Sequence, residues 1–261
     1  MIHLLAVVLA YLIGSFPSGV VVVRMGRGFD IRQVGSRRSG MTNVLRGAGV
    51  VSAVVVFLLD VIKGAGAVWV GRWLMHSTWV GNHVLAWTGR PAGWPLPSVA
   101  QIPTYTELAC GLAAIVGHNW PIYVRFRGGR GVNTTFGTLI ALAPYVAAGA
   151  FLGGAIVIAS TRYVSLGSVI GACLVPVGLF LQAILGSLPI PVFLYGLLTA
   201  GTIVFQHRDN IARLRAGTER RLGEQAKTPP AERSGPGQPE QEPQRHQSGP
   251  DGPQARRDTR E

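Results

Sequence analysis

Long apolar blocks separated by short polar segments form the main pattern of this sequence. The apolar blocks cover residues 2–23, 50–74, 107–123, 131–160, 164–187 and 189–206. A block of more than about 18 apolar residues is typical of a helix that crosses a membrane rather than of a soluble core. We therefore predict an all-α fold in which the blocks pack as a polytopic membrane helical bundle.

Charged residues between the blocks predict the orientation of the bundle. The sequence holds 24 Lys and Arg against 12 Asp and Glu, a formal net charge of +12, and its arginines cluster between the blocks. No Lys or Arg precedes the first block, whereas Arg24 and Arg27 follow it. Because basic flanks stay on the cytoplasmic side, this order predicts an uncleaved first helix with the N-terminus outside.

The block over residues 131–160 decides the predicted number of crossings. As one helix it would place Arg162 and the basic tail outside the cell. A break near Pro144 returns both to the inside, and we adopt this interpretation. It predicts seven transmembrane spans and a cytoplasmic C-terminus. The first piece, 131–142, is short for a full crossing, so we expect a half-helix buried among its neighbours.

Three polar segments complete the predicted organisation. Residues 75–105 are rich in Pro, Gly and Trp, and we expect an extended external loop. Residues 207–223 form a basic amphipathic segment that is typical of a helix lying on an anionic leaflet. Residues 224–261 have almost no apolar side chains, so we expect a disordered cytoplasmic tail. The membrane domain thus covers residues 1–223.

Composition and motifs exclude several classes of function. The basic runs lack interleaved aromatic residues and any nucleic-acid-binding motif, so we predict no nucleic-acid partner. The two cysteines each lie inside an apolar block and indicate neither a disulfide nor a metal framework. The sequence also lacks the GxxxxGK[ST] phosphate loop and the GxSxG nucleophile elbow.

Three polar residues inside the apolar blocks are predicted to have structural roles. Asp60 and Lys63 lie three residues apart in the second block and share a helix face, which predicts an internal ion pair rather than direct catalysis. His118 lies at the end of the third block. A lone histidine at such a position is typically a hydrogen-bonded structural residue.

Residues 117–131, GHNWPIYVRFRGGRG, concentrate the candidate chemistry. Three arginines lie beside three glycines in this segment: Arg125, Arg127, Arg130, Gly128, Gly129 and Gly131. Glycine lets backbone N–H groups converge on one point, and arginine adds a forked cation, so the segment suits a phosphate group. The alternative is a basic flank that only orients a helix. These residues alone leave both interpretations open.

The loop over residues 24–48 repeats the same combination of residue types. It carries six arginines against one acid, together with hydroxyl, amide and glycine residues. The predicted topology brings this loop, the glycine segment, residues 162–168 and residues 207–210 to one cytoplasmic face. Arg, Ser, Thr, Asn, Gly and His there predict an anion site and no metal.

These motifs resemble those of the acyl-phosphate-dependent glycerol-3-phosphate acyltransferases, the PlsY-type bacterial membrane enzymes. The resemblance covers about residues 8–222. Its motifs are GSFPSG at 14–19, DIRQVGS and TNVLR within 30–46, DVIKG at 60–64, GHNWPIYVRFRGGRGV at 117–132, TRYVSLGS at 161–168 and HRDNIARLRAGTE at 207–219.

The resemblance implies a phospholipid-synthesis enzyme of the bacterial cell membrane, the inner or plasma membrane. Its reaction moves an acyl group from acyl phosphate to the sn-1 hydroxyl of glycerol 3-phosphate and gives lysophosphatidic acid and phosphate, without a cofactor. Implied partners are the two substrates, the lipid bilayer and the enzyme that supplies acyl phosphate. The alternatives are a transporter or binding protein for a phosphorylated metabolite, and a divergent paralogue with another substrate.

The resemblance also implies the roles of individual residues. Catalytic roles fall to Ser36, Arg46, Arg130, Ser165, His207 and Asn210, and substrate-binding roles to Thr42, Asn43, Gly128, Gly129, Gly131 and Ser168. Two motifs depart from the family pattern. Arg37 and Arg38 stand where Gly and Asn are usual, and Arg130 replaces a lysine, with which arginine is not interchangeable.

Overall fold

The protein is described by a computed structural model that covers residues 2–76, 102–186 and 188–224. All regular secondary structure in these ranges is helical, which confirms the predicted all-α class. The α-helices are α1 (Ile2–Gly14), α2 (Ser18–Arg27), α3 (Met41–Ala48), α4 (Val50–His76), α5 (Ile102–Asn119), α6 (Val132–Leu142), α7 (Pro144–Thr161), α8 (Val164–Ile184), α9 (Ile190–Gln206) and α10 (Arg208–Arg215).

Several of these helices are long and apolar enough to cross a membrane. Four such stretches are found among the described residues: Ile2–Arg27, Val50–Met75, Pro144–Thr161 and Val164–Ile184. A fifth is formed if α9 and α10, which bend by 60° at their junction, count as one span. The protein is therefore a multi-pass membrane protein, as its pattern of apolar blocks predicts.

The first apolar block is interrupted by small residues that allow close packing. α1 ends at Gly14 and α2 begins at Ser18, and the two helices form one apolar stretch of 26 residues. A Cβ atom at Gly14 would overlap the backbone of Ala114, and one at Gly19 would overlap the carbonyl of Ser39. Small residues of this kind let the backbones of α5 and of the loop before α3 approach the first span closely.

The predicted break near Pro144 is present. α6 ends at Leu142 and α7 begins at Pro144, and Ala143 between them has non-helical angles of φ −152° and ψ 72°. Proline disfavours the helical conformation in the residue before it and offers no N–H to the preceding turn. α6 has 11 residues, which agrees with the expected short helix over 131–142.

Some predicted boundaries were wrong for local reasons. The third helix, expected over 107–123, runs from Ile102 to Asn119, and a 3₁₀ turn over Ile122–Val124 follows Pro121. The segment 207–223 is helical only over Arg208–Arg215, because Gly217 adopts φ +67° two residues later. The predicted loop 75–105 is helical at both ends. Its centre, over 77–101, and the predicted tail after Glu224 lie outside the described residues.

α7 and α8 pack antiparallel and in close contact. Gly154 of α7 faces the backbone of Gly167 and Gly171 in α8, and Val146 near the start of α7 faces Gly178 near the end of α8. Together with α4 and α6 they enclose a space between the helices. The polar loops 31–40 and 125–131, the start of α8 and the α9–α10 junction border the same space.

Candidate active site

One cavity of about 430 Å³ brings together most of the predicted site residues. All six predicted catalytic residues line it: Ser36, Arg46, Arg130, Ser165, His207 and Asn210. Of the predicted substrate-binding residues, Thr42, Asn43, Gly131 and Ser168 line it as well. Gly128 and Gly129 do not. The far part of the cavity is apolar and is lined by α4, α6, α7 and α8.

Asn43 holds the first loop in shape at the polar end. Its side-chain carbonyl accepts the N–H of Ser36 at 2.9 Å. Its side-chain amide donates to the carbonyls of Ile31 at 3.0 Å, Val34 at 3.1 Å and Arg38 at 2.9 Å. Because its amide group is saturated by backbone, Asn43 positions Ser36 rather than offering a free group to substrate.

Gly128 and Gly129 pack against the end of α5 instead of facing the cavity. The N–H of Gly129 donates to the carbonyl of His118 at 3.1 Å. A Cβ atom at Gly129 would overlap the His118 ring, and one at Gly128 would overlap the His118 carbonyl. The glycine pair thus allows the loop to approach α5 closely, while Gly131, with φ +81°, turns the chain into α6.

Two arginines supply most of the positive charge at the polar end. Arg130 donates from Nε to the carbonyl of Gln206 at 3.3 Å. Burial and the nearby Arg38 and Arg213 lower the pKa of Arg130 to about 10. Arg46 donates to the carbonyl of Arg220 at 3.2 Å, and burial also lowers its pKa. Arg130 stays protonated at neutral pH, so it presents a largely desolvated cation to the cavity.

Glu219 is a functional candidate that the motif analysis missed. Its carboxylate accepts hydrogen bonds from Ser165 Oγ at 2.9 Å, Asn210 Nδ2 at 2.6 Å and Arg213 Nε at 2.7 Å. Burial alone would raise the pKa of Glu219, but the donors Asn210, Arg213 and Ser165 hold it below its usual value. Glu219 therefore carries a negative charge that orients two predicted catalytic side chains. It lies within a resembling motif, but no spacing rule links position 219 to position 165.

A backbone carbonyl determines which ring nitrogen of His207 carries the proton. Its Nδ1 lies 2.8 Å from the carbonyl oxygen of Ile203, and a carbonyl can only accept. We therefore assign the ring proton to Nδ1, which leaves Nε2 for proton exchange. Asn210 follows about one turn later, and both residues are buried beside the cavity.

The predicted ion pair of Asp60 and Lys63 is present. Lys63 Nζ lies 2.8 Å from Asp60 Oδ1 and also donates to the carbonyl of Phe16 at 2.9 Å. Ser18 Oγ donates to the same carboxylate oxygen at 2.5 Å, and His118 Nδ1 lies 3.4 Å away. These contacts join the first span, α4 and α5. They lie next to Gly128 and Gly129, which pack against His118. Asp60 and His118 also border the cavity.

Comparison with known proteins decides the family. The model of the family described as glycerol-3-phosphate acyltransferase matches residues 4–217. The chain belongs to this family. A glycerol-3-phosphate acyltransferase of Thermus thermophilus is 43% identical over 222 residues, covering 84% of this chain and 94% of that protein. One from Thermoanaerobacter sp. (strain X514) is 36% identical over 224 residues, covering 86% and 98%.

A solved structure of an acyltransferase has a similar fold. It is the crystal structure of PlsY (YgiH), an integral membrane glycerol 3-phosphate acyltransferase, in its glycerol 3-phosphate form. The match has a TM-score of 0.69 at 31% identity and covers 85% of this chain and 96% of that one. The lysophosphatidic acid form matches with a TM-score of 0.65 at 29% identity. The resemblance found in the sequence motifs is thereby confirmed.

Arg37 and Arg38, which stand where Gly and Asn are usual in the acyltransferase family pattern, lie in different surroundings. Arg37 is exposed and adopts φ +56°, a left-handed conformation that glycine tolerates better than arginine. Arg38 lines the cavity and is one of the charges that lower the Arg130 pKa. The polar end of this family member therefore carries Arg38 in addition to Arg46 and Arg130.

Proposed function

We propose that the protein transfers an acyl group from acyl phosphate to the sn-1 hydroxyl of glycerol 3-phosphate in the bacterial cell membrane, giving lysophosphatidic acid and phosphate. The observation that carries the proposal is the cavity itself. Its polar end holds Arg46 and Arg130, and its other end is apolar and lies between membrane helices. This division matches substrates that carry phosphate groups at one end and an acyl chain at the other.

The proposed mechanism depends on alignment and charge. The glycerol hydroxyl attacks the carbonyl carbon of the acyl phosphate, the new ester C–O bond forms, and the bond to the phosphate oxygen breaks. Arg46 and Arg130 stabilise the negative charge of the leaving phosphate. The hydroxyl proton passes to His207 Nε2 or to the departing phosphate. Asn210 and Ser165, held by Glu219, help to align the substrates.

The topology that we propose has seven crossings and places the polar end on the cytoplasmic side. The crossings are α1 with α2, then α4, α5, α6, α7, α8 and α9. Support comes from the charge pattern, because the loops that border the polar end are the arginine-rich ones. A polar end on that side is open to soluble glycerol 3-phosphate and to the enzyme that supplies acyl phosphate.

A transfer assay tests the proposed function. Membranes containing the protein, given acyl phosphate and glycerol 3-phosphate, are expected to form lysophosphatidate and to release one phosphate for each product molecule. Acyl-CoA in place of acyl phosphate is expected to give no product. A protein that is folded in detergent but makes no lysophosphatidate would contradict the proposal. The transporter alternative would instead show flux of the phosphorylated metabolite without ester formation.

A further inference from the structure

We propose that Leu139, Ala147 and Val175, at the deep end of the cavity, form a floor that sets the longest acyl chain the enzyme accepts. This inference rests on the proposed acyl transfer and adds the residues that determine its donor specificity. The three residues come from α6, α7 and α8, and all of them line the cavity. All three side chains are apolar, as suits the end of a hydrocarbon chain.

The floor lies far from the polar end along the helices. α8 carries Ser165 at the polar end and Val175 about ten residues further along, which is about 15 Å at the rise of an α-helix. α7 runs antiparallel, so Ala147 near its start lies at the level of Val175, whereas Ile158 lies near the polar end. An acyl chain whose carbonyl lies near Arg130 would therefore extend along α8 toward the floor.

Packed side chains close the cavity behind the floor. Leu139, Ala147 and Val175 are 2%, 1% and 3% exposed. They belong to the same hydrophobic cluster as Leu179 and Tyr195, which are also buried. Because such cores are packed at crystal-like density, a chain that reaches the floor has no space to continue.

Three aromatic rings line the cavity where α4, α6 and α7 meet. Phe136 and Phe151 have ring centroids 4.8 Å apart, and Phe57 lies 6.3 Å from Phe136 and 6.5 Å from Phe151. All three line the cavity. The rings thus form an apolar wall of the cavity, against which an acyl chain that reaches toward the floor would pack.

Two substitutions that change the depth of the cavity in opposite directions test the floor. Ala147→Leu shortens the cavity, and Val175→Ala deepens it. Each protein is assayed with acyl phosphates of increasing chain length, and kcat/KM is compared across the series. Because one methylene in an apolar pocket changes discrimination by about tenfold or more, we expect at least that change in the ratio of long to short donors. The ratio falls in Ala147→Leu and rises in Val175→Ala.

Matched controls come from neighbouring exposed positions of the same helices. Ala148→Leu and Val177→Ala make the same chemical changes at exposed residues that do not line the cavity, and both are expected to keep the wild-type profile. An unchanged profile in both floor variants, with wild-type transfer intact, overturns the floor but not the proposed function. A wild-type protein that transfers no acyl group of any length overturns the proposed function instead. If Ala147→Leu fails to fold, the chain-length profile of Val175→Ala alone tests the floor, because this substitution removes atoms and does not overpack the core.

Discussion

At the scale of single residues, Arg130 combines burial with positive charge. Arg130→Ala removes a desolvated cation from the cavity, so we expect kcat/KM for acyl transfer to fall by about 10² to 10³, the usual effect of losing one donor to developing negative charge. The transfer assay measures this loss. Arg215→Ala is the control, because Arg215 is exposed and does not line the cavity. Near-normal activity in Arg130→Ala would show that this side chain does not hold phosphate.

Glu219 gives a prediction about pH. Its folded-state pKa lies below the ordinary value of 4.5, so its contribution to stability is fully present above about pH 4.5 and is lost as the pH falls through the folded value. Glu219→Gln should therefore be less stable than wild type at pH 7, by about 1–3 kcal/mol for weakened bonds to a charged group. The difference should shrink as the pH falls below 4.5.

Thermal unfolding in detergent from pH 7 to pH 3.5 measures this effect. Glu224→Gln serves as the control, because Glu224 is exposed and the structure gives its side chain no hydrogen bond among the described residues. A stability difference between wild type and Glu219→Gln that is the same at every pH would show that the carboxylate charge is not responsible.

Motif comparison found the residues of the polar end but not how they are connected. The side chains of Ser165 and Asn210 both donate to Glu219 Oε1, although they come from separate helices. Sequence spacing cannot reveal such a shared acceptor, because it depends on how α8 and α10 pack. The glycine pair shows the same limit. Its composition suggests phosphate binding, whereas packing places Gly129 against the His118 ring.

At the scale of elements, α6 depends on close backbone contact with α4. A Cβ atom at Gly64 would overlap the carbonyl of Thr134, and one at Gly137 would overlap the carbonyl of Val61. We therefore expect Gly64→Ala to force the helices apart and to lower the free energy of unfolding by about 1–3 kcal/mol. Thermal unfolding in detergent measures the loss.

Gly66 provides the matched control for this prediction. It lies in the same helix, but a Cβ atom there would have no neighbour within 4 Å. Gly66→Ala should be neutral or slightly stabilising, because alanine has the higher helix propensity. Equal effects of the two substitutions would mean that helix propensity, and not the contact with α6, governs the result.

Local sequence chemistry predicted some helix ends and missed others. Pro144 forced the break after Ala143, since proline restricts the residue before it, and this break was predicted correctly. Pro121 acts similarly, but the apolar residues Ile122 and Tyr123 extended the expected third helix to residue 123. The hydrophobic pattern marks which segments are apolar, whereas backbone hydrogen bonds decide where a helix ends.

At the scale of the whole molecule, the proposed topology places distant loops on one side of the membrane. In a background without Cys110 and Cys173, single cysteines at Arg125 and Arg208 should both react with a membrane-impermeant thiol reagent only from the cytoplasmic side. A cysteine at Leu185, which is 76% exposed and follows α8, should react only from outside. Opposite sidedness of positions 125 and 208 would rule out the proposed arrangement of seven crossings.

The contacts of Glu219 have a consequence for biosynthesis. Ser165 and Asn210 obtain their shared acceptor from a residue that follows α10, and the next residue, Arg220, supplies the carbonyl that Arg46 contacts. Because Glu219 and Arg220 follow the last helix of the described residues, the polar end lacks these contacts until positions 219 and 220 have been synthesised. We therefore expect a chain cut before position 219 to lack the shared acceptor of Ser165 and Asn210 and to lose acyl transfer.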